Sequence, residues 1–248
     1  MLLLVSGEGP SDIGHLSYGE EGVEFSPGPI CWILDLLIES LINYSLIDYQ
    51  FVQFVHKTKL LTVEPKHHGR QFCAPGKRKP RETGYYYENA RRLALMAMTV
   101  ARETNDVVVP VLFRDADGTQ SSGRGEWMAK WQSMIAGFEA GGSLQGVPML
   151  PKPKSEAWLL CAFREPIYQH CAALEQASGN DDSPDSLKGQ LERVRNGLST
   201  ATDISDAIRA GEVDPHRIDM HSFNAFKARL IEVMQQIMAP DLVEPARV

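Results

Sequence analysis

Four short, uninterrupted apolar runs place the strongest constraint on how this chain can fold. They cover residues 2–5, 49–55, 107–113 and 147–150. Runs of this kind are typical of strands whose two faces are both covered, as in a parallel sheet. Pro110 lies inside the third run and weakens it slightly as a central strand, because proline has no N–H to donate to a neighbouring strand.

Helical patterns lie between the apolar runs. They cover 30–43, 87–104 and 125–139. Strands that alternate with helices in this way predict an α/β fold, with a mostly parallel sheet of about four strands flanked by helices. Within the first pattern, three polar residues recur at every fourth position and predict a mostly buried helix with one exposed stripe: Asp35, Glu39 and Asn43.

Beyond residue 165 the pattern changes to helices alone. The helical segments there cover 186–196, 204–210 and 222–238. The stretch 178–186, which is rich in Gly, Asn, Asp, Ser and Pro, is typical of a loop. We therefore predict two parts: a core domain with the α/β fold over residues 1–165, and a helical extension over residues 166–248.

The composition of the 248 residues excludes several classes of protein. A hydrophobic content of 43% excludes disorder as a description of the whole chain. The first apolar run is too short for a signal-peptide core, and Asp35 and Glu39 interrupt the richest apolar stretch, so no membrane span is expected. Four cysteines without a Cys-x-x-Cys pair argue against a disulfide scaffold and a closed zinc site. We expect a soluble, cytoplasmic protein.

The formal net charge of −7 conceals a basic segment over residues 56–92. Ten Lys or Arg residues against three Glu residues give this segment a charge of +7, and the rest of the chain carries −14. A solvated surface loop and a contact for nucleic-acid phosphates both explain such a segment. As a phosphate contact, the segment would use Lys66, Arg70, Lys77, Arg78, Lys79 and Arg81.

Acidic residues closely follow three of the four predicted strands. They are Glu8 and Asp12 after the first strand, Asp115 and Asp117 after the third, and Glu156 after the fourth. The carboxyl ends of parallel strands meet at one edge of a sheet, so we expect these side chains to converge. A cluster of carboxylates attracts a cation, and ligands that are all oxygen atoms select a hard ion such as Mg²⁺ or Mn²⁺.

Each acidic motif also has a structural explanation when it is taken alone. Asp-x-Asp-Gly at 115–118 is a common turn, and Glu8 between two glycines is a polar loop residue. Glu156 would be stabilised at the N-terminus of a helix, with Ser155 as the capping residue. The metal-site prediction therefore depends on the occurrence of all three motifs at strand ends in one chain.

The order of these motifs resembles that of a Toprim domain, the metal-binding module of type II and type IA topoisomerases, bacterial primases and OLD-family nucleases. More closely, the runs 7–12 (Gly-Glu-Gly-Pro-Ser-Asp) and 152–160 (Lys-Pro-Lys-Ser-Glu-Ala-Trp-Leu-Leu) resemble a bacterial Toprim-like family of unknown function. That family has a Glu-Gly-Pro-Thr-Glu type motif and a Pro-Glu-Ala-Trp type motif. The run 222–226 (Ser-Phe-Asn-Ala-Phe) resembles its C-terminal Ser-Phe-x-x-Phe element. Ser11 and Asp12 stand where threonine and glutamate are usual.

The resemblance implies a nuclease that depends on Mg²⁺ or Mn²⁺ and acts on DNA or RNA. Such a function is compatible with a role in phage defence or in a mobile element. Asp115 and Asp117 would form the metal-binding pair and take part in catalysis, and Asp12 and Glu156 would complete the cluster. Glu8 would be a metal ligand or the general base.

Basic and aromatic residues near these motifs extend the prediction. Lys152 and Lys154 would either neutralise phosphate charge near Glu156, with Lys154 as a catalytic residue, or only balance the acidic neighbourhood. Residues 85–87, all tyrosine, could stack on bases. At the start of a helix they are more typical of packing residues than of a covalent nucleophile. Arg114 is expected to point away from the Asp pair and to be structural.

Two other classes of function compete with the nuclease. The run 113–119 (Phe-Arg-Asp-Ala-Asp-Gly-Thr) also resembles the first motif of haloacid-dehalogenase-type phosphatases, in which Asp115 would be the nucleophile and Asp117 the general acid. Residues 180–182 (Asn-Asp-Asp) would then form the later acidic motif, although this interpretation leaves the other acids unexplained. The third class is a non-catalytic Toprim-fold module that binds nucleic acid or a partner protein.

Overall fold

A four-stranded sheet lies at the centre of the fold, together with a two-stranded hairpin. The computed structural model describes residues 1–9, 11–19, 22–63, 81–116 and 126–239. Within those ranges the strands are β1 (Leu2–Ser6), β2 (Gly14–Gly19), β3 (Gly22–Pro27), β4 (Val52–Phe54), β5 (Val108–Phe113) and β6 (Val147–Met149). The helices there are α1 (Pro29–Ile42), α2 (Lys57–Leu60), α3 (Arg81–Thr104), α4 (Glu126–Ala140), α5 (Ser155–Phe163), α6 (Leu187–Val194), α7 (Ala201–Arg209) and α8 (His221–Met238). Short 3-10 helices cover Cys171–Gln176 and Pro215–Arg217.

All pairings in the four-stranded sheet are parallel, in the order β4-β1-β5-β6. The four predicted strands and their parallel arrangement are therefore confirmed. Leu3 pairs with Val52 on one side and with Val109 on the other, which makes β1 a central strand. Pro110 also lies in a central strand, since β5 lies between β1 and β6. The carboxyl ends of all four strands point to one edge of this sheet.

Both faces of β1, β5 and β6 are buried, as the continuous apolar runs predict, whereas the edge strand β4 is only partly covered and its Gln53 is exposed. Leu3 and Val5 pack in a core with residues of α1, α5 and α8, whereas Leu4, Val108 and Leu112 pack with residues of α3 and α4. Successive residues of a strand point to opposite faces, so an unbroken apolar run suits a sheet with helices on both faces. The protein is therefore a mixed α/β protein with a parallel sheet flanked by helices.

The hairpin formed by β2 and β3 is not among the predicted elements, although apolar and polar residues alternate in both strands, with Leu16 and Tyr18 in β2 and Val23 and Phe25 in β3. It lies between β1 and α1 in the chain, and its strands pair antiparallel from Gly14 opposite Pro27 to Gly19 opposite Gly22. Gly14 has a φ of +116°, and a Cβ atom there would lie 2.2 Å from the carbonyl oxygen of Ser26. Glycine is therefore required where the chain enters the hairpin.

Asp35 departs from the exposed stripe predicted for α1. It is buried and accepts hydrogen bonds from the Ser45 hydroxyl at 2.6 Å and from the backbone N–H groups of Leu46 at 2.8 Å and Ile47 at 3.2 Å. The pKa of Asp35 is raised, because the effect of burial is larger than the opposing effect of these hydrogen bonds. The stripe prediction is wrong at this position, because Asp35 ties α1 to the turn that leads into β4, whereas Asn43 is exposed.

The helices that follow residue 165 pack against the core. Trp158 in α5 donates to the Ser222 hydroxyl in α8 at 2.9 Å, and its ring contacts those of Phe223 and Phe226 at centroid distances of 4.9 and 5.7 Å. The runs 152–160 and 222–226, which contain these residues, thus meet in the interior. The helical character of the C-terminal part is confirmed, and the division into domains at residue 165 stays a prediction.

A disulfide bond joins Cys161, near the end of α5, to Cys171 at the start of the following 3-10 helix. The absence of a Cys-x-x-Cys pair does not exclude a disulfide bond at this wider spacing. The bond is local, and a single bond of this kind does not make the chain a disulfide scaffold. Disulfide bonds are uncommon in cytosolic proteins, and the cytoplasmic location stays a prediction. Among the described helices, none has both the length and the apolar composition needed to cross a bilayer.

Candidate functional site

Predicted site residues follow three strands of the parallel sheet at the edge where those strands end. Glu8 follows β1, Asp115 follows β5, and Glu156 follows β6 at the start of α5. Since all four strands run in the same direction, their ends bring these segments to one edge. The contacts described below divide the residues at this edge into two groups, one around Ser155 and one around Glu8.

Ser155 holds the first group, which contains three of the predicted acids. Its hydroxyl donates to Asp12 Oδ1, and its backbone N–H donates to Asp115 Oδ1 at 3.1 Å. The same hydroxyl oxygen lies 3.5 Å from Glu156 Oε2. Ser155 is the buried first residue of α5, and Lys154 occupies the capping position. Ser155 is therefore not the helix cap that the sequence suggests, and its side chain joins segments that are distant in sequence.

The backbone fixes Asp12 in this group. The N–H of Ile30 in the first turn of α1 donates to the Asp12 carbonyl at 3.0 Å, and the N–H of Gly28 donates to the Ile13 carbonyl at 2.9 Å. A Cβ atom at Gly28 would lie 2.3 Å from the Asp12 carbonyl oxygen, so glycine permits this close approach. The start of α1 thus sets the position from which Asp12 reaches Ser155.

Asp12 has a carboxyl group of raised pKa. Burial raises its pKa from 3.8 to about 6. The hydrogen bond from Ser155 opposes this change, the negative charge of Glu156 adds to it, and the positive charge of Lys154 lowers it slightly. A buried carboxyl beside a second carboxylate is in an environment that favours a proton or a cation.

Glu8 lies at the centre of the second group. Its Oε1 accepts a hydrogen bond from the Tyr85 hydroxyl and lies 3.3 Å from Lys57 Nζ and 3.5 Å from Arg114 Nε. Lys57 Nζ and Arg114 Cζ also lie 5.4 and 5.8 Å from the centroid of the Tyr85 ring. Hydrogen bonding to Tyr85 raises the pKa of Lys57, so the lysine remains cationic. Two cations and a phenol therefore surround one carboxylate.

Arg114 is the rigid member of the second group. The side chain is fully buried, and its guanidinium donates to the Phe113 carbonyl at 2.6 Å and to Asn89 Oδ1 at 3.2 Å. This fits the structural role predicted from the sequence. Its contact with Glu8, which the sequence did not predict, makes Arg114 part of the site as well.

Tyr85 and Tyr86, adjacent residues of α3, connect the helix to both groups. Tyr85 donates to Glu8, and the Tyr86 hydroxyl donates to the Asp115 carbonyl at 2.8 Å. Gly137 allows α4 to pack closely against α3, because a Cβ atom there would lie 2.3 Å from the Tyr87 carbonyl oxygen. The predicted packing role is thus incomplete, because two hydroxyl groups hold site residues. Their position one turn into a helix beside a basic run was the only signal in the sequence.

Lys154 contacts the C-terminal part of the chain. Its Nζ lies 3.0 Å from Asp181 Oδ1, and its side chain is largely buried. The loop that contains Asp181 therefore reaches the edge that carries the two groups. Lys152 is partly exposed two residues earlier. Both lysines are at the predicted edge of the sheet, and their contact with phosphate stays a prediction.

Several predicted residues fall outside the described ranges. These are Asp117 and the basic residues Lys66, Arg70, Lys77, Arg78 and Lys79. Arg81 begins α3, and its side chain is likewise not described. Arg91 and Arg92, which contribute to the charge of the basic segment, are buried and lie 3.4 and 3.9 Å from Glu88. Arg91 and Arg92, which were not among the residues predicted to contact phosphate, therefore add little exposed charge to the basic segment.

The first group does not form a ready-made metal centre. Within the described ranges, which leave out Asp117, no three His, Cys, Asp or Glu side chains are arranged to hold a metal ion. The chain was also compared with protein-family models, with curated proteins and with solved structures, and none of them matches it. The Toprim resemblance and the residue roles that it implies stay predictions.

Proposed function

We propose that this protein is a nuclease with a Toprim-like fold that cleaves phosphodiester bonds with the help of Mg²⁺ or Mn²⁺. The observation that supports it is the meeting of Asp12, Asp115 and Glu156 at Ser155, beside the ends of parallel strands. The Toprim-like fold is supported by the order of the acids along a parallel sheet, with Glu8 after β1 and Asp115 after β5.

The donor set of the first group suits a hard divalent cation. Its three side chains offer only carboxylate oxygens, which Mg²⁺ and Mn²⁺ prefer. The raised pKa of Asp12 reflects a cost of ionisation that a nearby cation would reduce. Asp12, Asp115 and Glu156 would bind the ion together with Asp117. When bound, the ion would polarise the scissile phosphate and stabilise the attacking and leaving oxygens.

The second group supplies positive charge at the same edge of the sheet. Glu8 contacts Lys57 and Arg114, so its contacts favour a role in positioning these residues over the predicted role as a metal ligand. Lys57 is about half exposed and can contact a phosphate of the substrate. Lys154 would provide a second cation if its pairing with Asp181 opens. The predicted phosphate contacts of the basic segment 56–92, which do not include the buried Arg91 and Arg92, would extend the contact along DNA or RNA.

Cleavage assays with matched variants test this proposal. Single-stranded and double-stranded DNA and RNA are incubated with Mg²⁺, with Mn²⁺ or with EDTA. We expect cleavage that requires a metal ion and falls at least about a hundredfold in Asp12→Ala and Asp115→Ala, because each removes a ligand. Asp185→Ala, which removes an exposed acid outside the site, is the control and should cleave normally. Cleavage in EDTA, or normal cleavage by Asp12→Ala with unchanged melting, would contradict the proposal.

A phosphatase of the haloacid-dehalogenase type is the second candidate, and one contact favours it. The Lys154–Asp181 pair brings the second acidic run, 180–182, to the edge where Asp115 lies. Such an enzyme would release phosphate from p-nitrophenyl phosphate, form a phosphoryl intermediate on Asp115 and tolerate Glu8→Ala. A module that binds nucleic acid or a partner protein without catalysis would show neither cleavage nor phosphate release, and would retain its ligand in a pull-down with purified components.

A further inference from the structure

A cavity of about 240 Å³ lies beside Glu8. Its walls are the loop 7–9 after β1, Gly14 and His15 at the start of β2, and the segment 54–58 that follows β4. None of the three carboxylates of the Ser155 group is among the described residues that line it. The cavity is therefore a separate feature of the same sheet edge, built partly from the hairpin that the sequence did not predict.

The charges at this cavity favour an anion. Glu8 and Lys57 line the cavity with one negative and one positive charge, and the buried Arg114, which is not a lining residue, contacts Glu8 with a second positive charge. The net local charge is positive, and Lys57 is about half exposed, so its ammonium group can exchange its contact with Glu8 for a bound anion. A charged donor beside a partly enclosed space is the arrangement that binds phosphate groups.

Two histidines, His15 and His56, contribute ring nitrogen atoms to the same wall. The Nδ1 atom of His56 accepts a hydrogen bond from the Thr58 N–H at 3.3 Å. Nδ1 is thus engaged by Thr58, and a ligand in the cavity would contact His56 through Nε2. His15 is exposed on the opposite wall, at the start of β2. Ring nitrogen atoms thus come from two different elements around the cavity.

An aromatic ring forms the apolar part of the wall. Phe54 lines the cavity and stacks on Phe25 of the hairpin, with the ring centroids 5.3 Å apart and the planes 4° from parallel. The stacking holds the Phe54 ring in place, so that a sugar or a base can pack against it. At about 240 Å³ the cavity is smaller than the roughly 300–1,000 Å³ of pockets for drug-sized ligands, so it has room for one nucleotide unit at most.

We propose that this cavity binds one nucleotide of the substrate through its phosphate group, with Lys57 as the main cation and Phe54 against the nucleoside. This deepens the proposed nuclease function and rests on it for the role of the nucleotide in catalysis. The binding itself needs no metal ion, because Lys57, His56 and Phe54 are residues of the chain that lie outside the acidic group. The cavity would thereby select a DNA or RNA strand that continues beyond the scissile bond.

Calorimetric titrations in EDTA test the cavity apart from catalysis. The three probes are adenosine 5′-monophosphate, inorganic phosphate and adenosine. We expect the monophosphate to bind more tightly than phosphate, and adenosine to bind most weakly. Lys57→Ala should weaken monophosphate binding by about tenfold or more, since a charge-assisted hydrogen bond is lost. Lys57→Arg should retain most of the affinity. Phe54→Leu should weaken monophosphate binding without changing phosphate binding.

Lys59→Ala is the matched control, because Lys59 lies on the same short helix and outside the cavity wall. It should change the affinity by less than about twofold. The proposal is overturned if neither phosphate-bearing probe binds, if adenosine binds as well as its monophosphate, or if Lys59→Ala weakens binding as much as Lys57→Ala. Equal binding of phosphate and monophosphate overturns the contact with the nucleoside. Metal-dependent cleavage that persists without monophosphate binding would overturn the cavity proposal and leave the nuclease proposal intact.

Discussion

Arg114 Nε lies 3.5 Å from Glu8 Oε1, and the two residues follow neighbouring strands of the parallel sheet. Arg114 is fully buried, whereas the Glu8 side chain is about one-third exposed. The pair therefore joins a guanidinium in the interior to a carboxylate at the surface of the site. The interaction free energy of this pair should be larger than that of an exposed ion pair, because a buried charge that loses its partner is not rehydrated.

A double-mutant cycle with Glu8→Gln and Arg114→Met measures this coupling. We expect an interaction free energy on the order of 1–3 kcal/mol from urea unfolding, since one partner is desolvated. The exposed Asp185–Arg193 pair is the control, and the cycle with Asp185→Asn and Arg193→Met should give roughly 0–0.5 kcal/mol. Equal coupling in the two cycles would show that the burial of Arg114 adds nothing to its interaction with Glu8.

The pH dependence of stability should report the raised pKa of Asp12. Its value is about 6 in the folded protein against 3.8 ordinarily, so the folded state binds more protons between these two values. Stability contributed by this group is therefore lost as the pH rises from about 4 to about 6. Asp12→Asn should remove this loss and raise the free energy of unfolding at pH 7 without metal by on the order of 1–3 kcal/mol. A variant less stable than wild type at pH 7 contradicts this expectation.

Ser155→Ala should raise the pKa of Asp12 further. The variant loses the hydroxyl that donates to Asp12 and keeps the backbone N–H that donates to Asp115. Carboxyl chemical shifts measured by NMR across pH 3–8 give the pKa directly. Ser11→Ala is the control, because the Ser11 hydroxyl contacts Asp12 Oδ2 at 3.3 Å in an exposed position. The change should be clearly smaller in the control, and equal changes would argue against Ser155 as the centre of the group.

Mg²⁺ or Mn²⁺ should stabilise the folded protein at pH 7. An ion bound only by the folded state at a hundred times its Kd adds about 2.7 kcal/mol to the free energy of unfolding. Thermal melting with and without the ion should show a rise in Tm for wild type and for Asp185→Asn. The rise should be lost in Asp115→Asn. The same rise in all three proteins would place the ion outside the Ser155 group.

Ser222→Ala should destabilise the protein without changing the site. It leaves the buried indole N–H of Trp158 without its acceptor, which costs about 1–3 kcal/mol. Trp158→Phe in addition should cost less than the sum of the single changes, because both remove the same hydrogen bond. Ser178→Ala changes an exposed serine and serves as the control. An altered Asp12 pKa in Ser222→Ala would show that the interior contact also shapes the site.

The main features of the sheet were predictable from local patterns. Continuous apolar runs require cover on both faces, and this property alone indicates parallel strands whose carboxyl ends share an edge. Asp115 and Glu156 could therefore be assigned to one site, because Asp115 lies just after β5 and Glu156 lies at the start of α5, the helix that follows β6. The hairpin was missed, because the apolar alternation in each strand covers only two residues, Leu16 and Tyr18 in β2 and Val23 and Phe25 in β3. Its position also depends on close packing at Gly14 and Gly28.

The sequence by itself determined the strands and the positions of the acids along the chain, because apolar runs and their alternation with helical segments are local patterns, and these patterns predicted the parallel sheet. Only the tertiary structure decided which acid meets which partner. Asp12 reaches Ser155, whereas Glu8 reaches Arg114 and Tyr85. Such contacts join segments that are far apart in the chain. They depend on distances of a few ångströms that helix packing sets, and no spacing along the sequence encodes them.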